Sequence, residues 1–274
     1  MNKRVSIHCC TKDRFCDVGV LLQSLRTQTY KDWDLILYDQ SSPMPIFQAQ
    51  SIMALIQQIK SEGHAVKMEC GQAQGVCPAR NHCIDMDDLN NDYILRCDDD
   101  CVLEPDYIEK LIKVIDAGYD MATGVVPGLG GMSWVRKTEN VKPIINYHEF
   151  DKDGNLIKFN DDLGYRYDKE EIIPTPHFRT NCLYKSNKEL RYPPFVYYFR
   201  EEGVFSFKAI LDFNYKIGVN TQAVALHTRP PTGGCRYNNM NQIINQDHQS
   251  WLNWSKEKFA KHGDFLRAYY KRFK

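Results

Sequence analysis

The sequence YILRCDDDCVLEPD, which runs from Tyr93 to Asp106, decides how this chain folds. Its first five residues form a short, mainly apolar run that is followed by charged residues, and this predicts a buried strand over Tyr93 to Cys97. Three carboxylates, Asp98 to Asp100, follow directly. An amphipathic helix comes next, with apolar side chains at helical spacing at Ile108, Leu111, Ile112 and Ile115. Strand, acidic segment and helix together are typical of one unit of an α/β protein.

The same unit recurs before and after this stretch. Further short apolar runs predict strands over Val5 to Cys10, Leu35 to Tyr38, Ala65 to Cys70 and Met121 to Val126. Between them, two helices show the same apolar spacing at Val18, Leu21, Leu22 and Leu25, and at Ile52, Leu55, Ile56 and Ile59, and another helix is predicted near Ala79 to Met86. This alternation predicts an α/β fold with a doubly wound, mainly parallel sheet and helices on both faces.

The pattern changes after Pro127, where the alternation of strands and helices ends. Asp151 to Gly154 predicts a turn or hairpin, Glu201 to Asn214 a helix, and Ile217 to Leu226 a returning strand. We therefore expect a first half over residues 1–126, a smaller lobe of the same domain over residues 127–239, and a C-terminal helical segment over residues 240–274.

Composition excludes several classes of protein. The 274 residues are 43% hydrophobic, which is enough for a sizeable core in one large domain or two small ones. The 35 Lys and Arg residues balance 35 Asp and Glu residues, so a general nucleic-acid binder is disfavoured. The sequence shows no secretory signal and no apolar run long enough to span a membrane. Ten cysteines without a Cys-x-x-Cys spacing predict reduced thiols and a cytoplasmic protein.

The three adjacent aspartates carry the strongest chemical signal. Carboxylates this close repel one another unless a cation offsets their charge. Alternation along an extended segment would put Asp98 and Asp100 on one side and Asp99 on the other. Their hard oxygens suit Mn²⁺ or Mg²⁺, which proteins often hold with one or two carboxylates and substrate phosphates. The alternative interpretation is a solvated acidic turn.

The order of motifs resembles the inverting family 2 glycosyltransferases of the GT-A fold. The resemblance rests on five segments: Val5 to Arg14, with its Thr-x-x-Arg end, Leu22 to Tyr30 (LQSLRTQTY), Leu35 to Ser42 (LILYDQSS), Gly75 to Asn81 (GVCPARN), and Tyr93 to Asp106. It implies a GT-A type fold in which residues 1–126 bind a nucleotide sugar and residues 127–239 carry the acceptor and catalytic groups.

The resemblance also implies roles for individual residues. Nucleotide-binding positions would be Thr11, Arg14, Asp39, Arg80, Asp98 and Asp99. Asp39 would bond the base and Asp98 would lie by the ribose and the metal. Mn²⁺ or Mg²⁺ would be held by Asp98, Asp100 and His227, with Asp100 as the direct ligand. The alternatives are ordinary ion pairs for the two arginines and a satisfied polar role for the histidine.

The catalytic base is expected at the start of the second-half helix. Glu201 and Glu202, followed by Ser206 and Lys208, are similar to the family's Glu-Asp-x-Asp-Leu-Ser-x-Arg element, whose second acid is the general base. By this resemblance the base is Glu202, with Glu201 as the second candidate. Val204 and Lys208 depart from the pattern, as does Glu202 itself. Alternatively, both acids only stabilise the helix start.

The acceptor side is less specific. Arg229 and Arg236 lie in a glycine-containing loop suited to close over a diphosphate. Three elements lie where relatives place acceptor and sugar contacts, but core packing fits them equally well: Trp134, Thr180 to Cys182, and Tyr197 to Phe199. The acceptor itself would be a glycan, a glycolipid or another hydroxyl compound.

The C-terminal segment from Trp251 to Lys274 combines aromatic residues with an excess of five positive charges. It predicts either peripheral contact with an anionic membrane at its inner surface, which would bring a lipid-linked acceptor close, or a helix packed on the second lobe.

Two rival functions stay open. A nucleotidyltransferase would need a glycine-rich phosphate loop after the first strand, where no glycine precedes Gly19. A non-catalytic nucleotide-binding relative would have lost the base or the metal ligands, of which Asp98, Asp100, Glu202 and His227 are all present. Transfer to a modified base in DNA is a special case that the neutral net charge disfavours.

Overall fold

The computed structural model describes residues 3–72, 75–127, 147–151, 153, 156–160, 167–197, 201–234 and 240–272. Its first half contains the predicted alternation: β1 Val5–Thr11, α1 Phe15–Arg26, β2 Trp33–Asp39, α2 Gln50–Ser61, β3 Val66–Cys70, α3 Val76–Met86 and β4 Tyr93–Asp98. Every strand and helix predicted in this region is confirmed to within a few residues at each end.

The following elements complete the chain: β5 Cys101–Leu103, α4 Tyr107–Asp116, β6 Met121–Val125, β7 Tyr147–Phe150, β8 Leu156–Asn160, β9 Ile172–Pro174, β10 Cys182–Lys185, α5 Glu201–Phe213, β11 Ile217–His227 and α6 Met240–Lys271. The strands β7 and β8 pair antiparallel on either side of the turn predicted at 151–154. The strands β5, β9 and β10 were not predicted, because three or four residues are too few to show a periodicity.

One sheet organises the molecule, with strands in the order β3-β2-β1-β4-β10-β6-β11-β5 and β9 beside β11. The first four strands are parallel, and β10 is inserted antiparallel between β4 and β6. The register sets Thr11 beside Asp39 and Cys10 beside Asp98. The carboxyl ends of β1, β2 and β4 therefore meet at one edge, where ligands of open parallel sheets bind.

Apolar helix faces cover the sheet on both sides. The largest core packs α1, α2 and α4 against β1, β2 and β4, with Leu22, Ile56, Leu95 and Tyr107 fully buried. A second core lies under α5 and α6, where Phe205 and Trp251 are buried. Burying each such large side chain stabilises the fold by about 1.5–3 kcal/mol. The doubly wound expectation is thus confirmed, with helices on two faces.

The C-terminal helix α6 packs on the second lobe. It bends at His262, whose φ of −129° is not helical. Trp251, Phe259, Leu266 and Tyr269 are buried in the second core, whereas Phe265 is 44% exposed. These buried residues favour the prediction of a helix packed on the second lobe. In the ranges that the structure describes, no helix is both long and apolar enough to cross a membrane. Peripheral contact of the basic residues with a membrane stays a prediction.

Candidate functional site

The first group of polar side chains lies where β1 and β4 end. Thr11 closes β1, and its Oγ1 donates a hydrogen bond of 2.7 Å to Asp99 Oδ2. Arg14, just before α1, donates from Nη1 to Asp99 Oδ1 at 2.7 Å and lies 2.9 Å from Asp100 Oδ2. Parallel pairing of β1 with β4 brings these groups together. One guanidinium thus holds two adjacent carboxylates at the predicted nucleotide site.

The contacts of the three aspartates do not follow the expected alternation. Strand β4 ends at Asp98, and residues 99 and 100 form a turn, so the two-residue period of a strand stops before them. Asp98 accepts a 2.6 Å bond from Arg80 Nη2, whereas Asp99 and Asp100 share Arg14. The three carboxylates are thereby divided between two arginines.

Burial and charge act differently on these acids. Burial raises the pKa of Asp99 to about 6, with the neighbouring charge of Asp100 adding to the effect and Arg14 opposing it. Asp98, whose side chain is 21% exposed, behaves in the opposite way. Burial disfavours its ionised form, but Arg80 and Arg96 outweigh that effect and lower the pKa of Asp98 below its ordinary value.

Two of the three predicted metal ligands converge. Strand β11 pairs antiparallel with β5 so that His227 lies opposite Cys101, and this places His227 Nε2 3.1 Å from Asp100 Oδ2. Within the described ranges, no cluster of three or more His, Cys, Asp or Glu side chains is arranged to hold a metal ion. A carboxylate oxygen and an imidazole nitrogen that face each other nevertheless fit a divalent cation that takes its other ligands from phosphate and water.

The second group of charges lies at the start of α5. Glu201 is buried, and its Oε1 accepts a 3.2 Å bond from Arg80 Nη1. Burial and the neighbouring Glu202 raise the pKa of Glu201 to about 8, against the effect of Arg80 and Arg96. Glu202 is partly exposed. The two adjacent acids therefore lie in different surroundings, as the 100° step of a helix requires.

Arg96 is a site residue that the sequence reasoning missed. It lies within β4, is 3% exposed, and its Nη2 is 3.5 Å from Glu201 Oε1 and 3.6 Å from Asp98 Oδ1. Its guanidinium carbon lies 4.9 Å from the centre of the Phe178 ring and 5.7 Å from that of Tyr192. The available signal was a charged residue inside an apolar strand, since a buried charge needs partners.

The loop after β2 uses Asp39 for its own structure. Both oxygens of this buried carboxylate accept backbone bonds, at 2.9 Å from Ser41 N and 2.6 Å from Ile46 N. The predicted contact of Asp39 with a base therefore stays a prediction. Arg229 is exposed, with Nε 3.5 Å from His227 Nδ1. The other residue predicted for the diphosphate loop, Arg236, lies outside the described residues.

The predicted acceptor contacts divide into two groups. Asn181 is buried and accepts a 3.0 Å bond from the backbone N of Asp98, and Cys182 begins β10 inside the second core. Both therefore support the core alternative. Tyr197 is 43% exposed beside the start of α3, where its carbonyl accepts bonds from Val76 and Cys77. Thr180 is buried like Asn181. Trp134, Tyr198 and Phe199 lie outside the described residues.

Val204, which departs from the expected acidic pattern, is fully buried in the second core. An acid at this position would be buried among apolar side chains, so the departure follows from the packing of α5.

A mainly parallel sheet with an inserted antiparallel strand and acidic residues at the end of β4 defines the GT-A class of fold. The chain belongs to glycosyl transferase family 2, whose family model matches residues 6–201. The predicted family and fold are thus confirmed. A search among curated protein sequences finds no match.

Solved structures agree on the fold. S. aureus TarS 1-349 in complex with UDP-GlcNAc is similar with a TM-score of 0.59 at 12% identity, over 89% of this chain and 64% of that one. GalNAc-T7 with UDP, GalNAc and Mn²⁺ is similar with a TM-score of 0.61 at 14% identity, over 86% of this chain and 45% of that one. This chain thus spans less than two thirds of the length of either structure.

Proposed function

We propose that the protein is a metal-dependent, inverting glycosyltransferase that moves a sugar from a nucleoside-diphosphate sugar, with UDP favoured, to a hydroxyl group of a glycan or glycolipid. The observation that carries this proposal is the position of Arg80. Its guanidinium binds Asp98 at 2.6 Å and Glu201 at 3.2 Å, and so joins the end of β4 to the start of α5. Glu201, the chain neighbour of the predicted base Glu202, and the predicted nucleotide site therefore adjoin each other.

The donor would bind along the carboxyl ends of β1, β2 and β4. The predicted contacts are Thr11, Arg14, Asp39, Arg80, Asp98 and Asp99, of which all but Asp39 belong to the two arginine-centred groups described above. Arginine suits bidentate contact with phosphate oxygens. The choice of UDP is supported by membership of the family and by the UDP compounds in the two similar structures.

Glu202 would act as the general base. It lies in the first turn of α5, and its partial exposure lets an acceptor hydroxyl reach it. By taking the hydroxyl proton, Glu202 would direct the oxygen at the anomeric carbon from the face opposite the leaving diphosphate, which inverts the configuration. Glu201, buried against Arg80, would position the base.

Asp100 and His227 would hold Mn²⁺ or Mg²⁺. Such a cation, when bound, neutralises the charge of the departing nucleoside diphosphate. Asp98 faces Arg80 and is assigned to the ribose and the outer part of the metal site. Arg229, beside His227, is assigned to the diphosphate together with Arg236.

The two rival functions have less support. Residues 12–14, which follow β1, contain no glycine for the phosphate loop of a nucleotidyltransferase. A non-catalytic relative has no use for a partly exposed acid, Glu202, next to the buried Glu201, or for a converging pair of metal donors. The nine cysteines that the structure describes are free thiols, which fits the proposed cytoplasmic location.

The donor site is tested by calorimetric titration of the full chain with nucleoside diphosphates and nucleotide sugars, each with Mn²⁺, with Mg²⁺ and with chelator. We expect one nucleotide, UDP first, to bind only with metal, and D100A to abolish this binding. Failure of every nucleotide to bind under all three conditions would overturn the proposed function.

The base is tested by Glu202→Gln, which keeps the shape of the side chain but cannot accept the proton. We expect unchanged donor binding and turnover lowered by at least about a hundredfold. Glu257→Gln, at an exposed acid of α6, is the matched control and should retain full turnover. Normal turnover of E202Q would reject Glu202 as the base.

A further inference from the structure

Arg14 lies against the Asp100 oxygen that is predicted to bind the metal ion. The oxygen Asp100 Oδ2 lies 2.9 Å from Arg14 Nη1 and 3.1 Å from His227 Nε2. This carboxylate oxygen thus faces the predicted imidazole ligand, and a guanidinium already lies against it. A divalent cation that bound this oxygen would have to exclude the arginine from contact, because two cations cannot share it closely without strong repulsion.

The surroundings hold Arg14 in this place. Its Nη1 also bonds Asp99 Oδ1 at 2.7 Å, and the side chain is largely buried. Two glycines with positive φ lie against it: a Cβ atom on Gly234 would come within 2.5 Å of Arg14 Nη2, and one on Gly233 within 2.7 Å of Arg14 Cγ. The backbone N of Gly234 donates a 2.6 Å bond to Lys12 O. The loop after His227 is therefore docked on the arginine.

Charge explains why the arginine is needed there. Two adjacent carboxylates on one turn repel each other, and both are buried. The charges of Asp99 and Asp100 outweigh the desolvation of Arg14 and raise its pKa, so the guanidinium stays charged. Arg14 thus offsets the same carboxylate charge that a bound metal ion would offset.

We propose that Arg14 is an internal counter-ion that competes with the divalent cation for Asp100, so that the cation binds weakly until a diphosphate draws the arginine away. This inference rests on the proposed function and adds the order of events at the same site. An anionic diphosphate gives the guanidinium a new partner, and the freed carboxylate then becomes available. Because coupling between two ligands is reciprocal, Mn²⁺ and UDP should each strengthen the binding of the other.

The test measures Mn²⁺ binding alone, by the electron paramagnetic resonance signal of the free ion, with no nucleotide present. We expect Arg14→Gln to bind Mn²⁺ at least about tenfold more tightly than the unaltered protein, which lies within the usual range of coupling at one site. D100N should abolish this binding in both backgrounds, which locates the ion. The matched control is Arg26→Gln, because Arg26 is paired with Glu62 away from the site.

Equal or weaker Mn²⁺ binding by R14Q would overturn the inference, as would tight binding that D100N leaves intact. If R14Q does not fold, Arg14→Lys keeps a charge but lacks the guanidinium nitrogen Nη1 that contacts both carboxylates, and its Mn²⁺ affinity should lie above that of the unaltered protein. No nucleotide enters these measurements. Failure of the proposed function appears instead as the absence of any nucleotide binding to the unaltered protein.

Discussion

Arg80 and Arg96 offer a matched pair of buried cations whose removal should have different costs. Arg80 makes close bonds to Asp98 and Glu201, at 2.6 and 3.2 Å. Arg96 reaches the same two acids only at 3.6 and 3.5 Å and lies over the Phe178 ring. Removing one partner of a tightly bonded buried pair costs about 3–5 kcal/mol, because the other charge stays buried and unpaired. We therefore expect Arg80→Met to lower the free energy of unfolding by about that amount.

Arg96→Met should cost much less. The long contacts of Arg96 offset little of the free energy that its desolvation costs. Replacing such a poorly bonded buried ion with an apolar side chain of similar size often leaves the free energy of unfolding unchanged. The lost contacts with the two rings amount to about 0.5–2 kcal/mol, which sets the expected scale. Urea unfolding of both variants, followed by tryptophan fluorescence, gives the two free energies. An equal loss in R96M and R80M would refute the reasoning from bond length.

The pH dependence of R80M provides a second check. In this variant Asp98 loses its closest cation, so protonation of Asp98 relieves the unpaired charge, whereas Glu201, with a pKa of about 8, is already protonated over this range. The difference in free energy of unfolding between R80M and the unaltered protein should therefore shrink as the pH falls from 7 to 5. A difference that stays constant over this range would mean that lost packing, not charge, causes the destabilisation.

Two further predictions concern stability. Glu201 has a raised pKa of about 8 in the native protein, against about 4.5 in the unfolded chain, so the native protein keeps a proton that the unfolded chain loses. Stability should therefore fall as the pH rises from 5 to 8. Glu201→Gln should flatten this slope, measured by thermal unfolding. Trp251 is 1% exposed in the second core, so Trp251→Ala should lower the free energy of unfolding in urea by about 3–5 kcal/mol. A decrease below about 1 kcal/mol would contradict the packing of α6 on the second lobe.

The sequence predicts the first half well because most of its strands are buried on both faces and are therefore rich in apolar residues. Strands β1, β2 and β4 are short, mainly apolar runs, whereas β3 is a partly exposed edge strand. The helices α1, α2 and α4 repeat one apolar spacing, so the alternation and the parallel order follow. The strand β10 has only four residues and pairs antiparallel with β4 and β6. Its place depends on pairing across a long stretch of chain, which no local pattern encodes.

The sequence named candidate site residues but not the ion pairs that they form, and the roles of these residues stay predictions. The acidic residues after β4 pointed to the aspartates, and the resemblance to the family named Arg14 and Arg80. Which arginine meets which carboxylate depends on the turn after Asp98 and on the start of α5, two features set by tertiary packing. Arg96 was missed for a related reason, since a strand residue is usually assigned to the core by its neighbours and not by its charge.

The balance of acidic and basic side chains at the site determines how it should bind an anionic donor. Five acids lie here, Asp98, Asp99, Asp100, Glu201 and Glu202, against three arginines, Arg14, Arg80 and Arg96. With every acid ionised, two negative charges are in excess, and a nucleoside diphosphate would be repelled. The raised pKa of Glu201 removes one of them near neutral pH, and a divalent cation would offset more than the remainder. Donor binding should therefore strengthen with metal and weaken as the pH rises above about 8, because Glu201 then regains its charge.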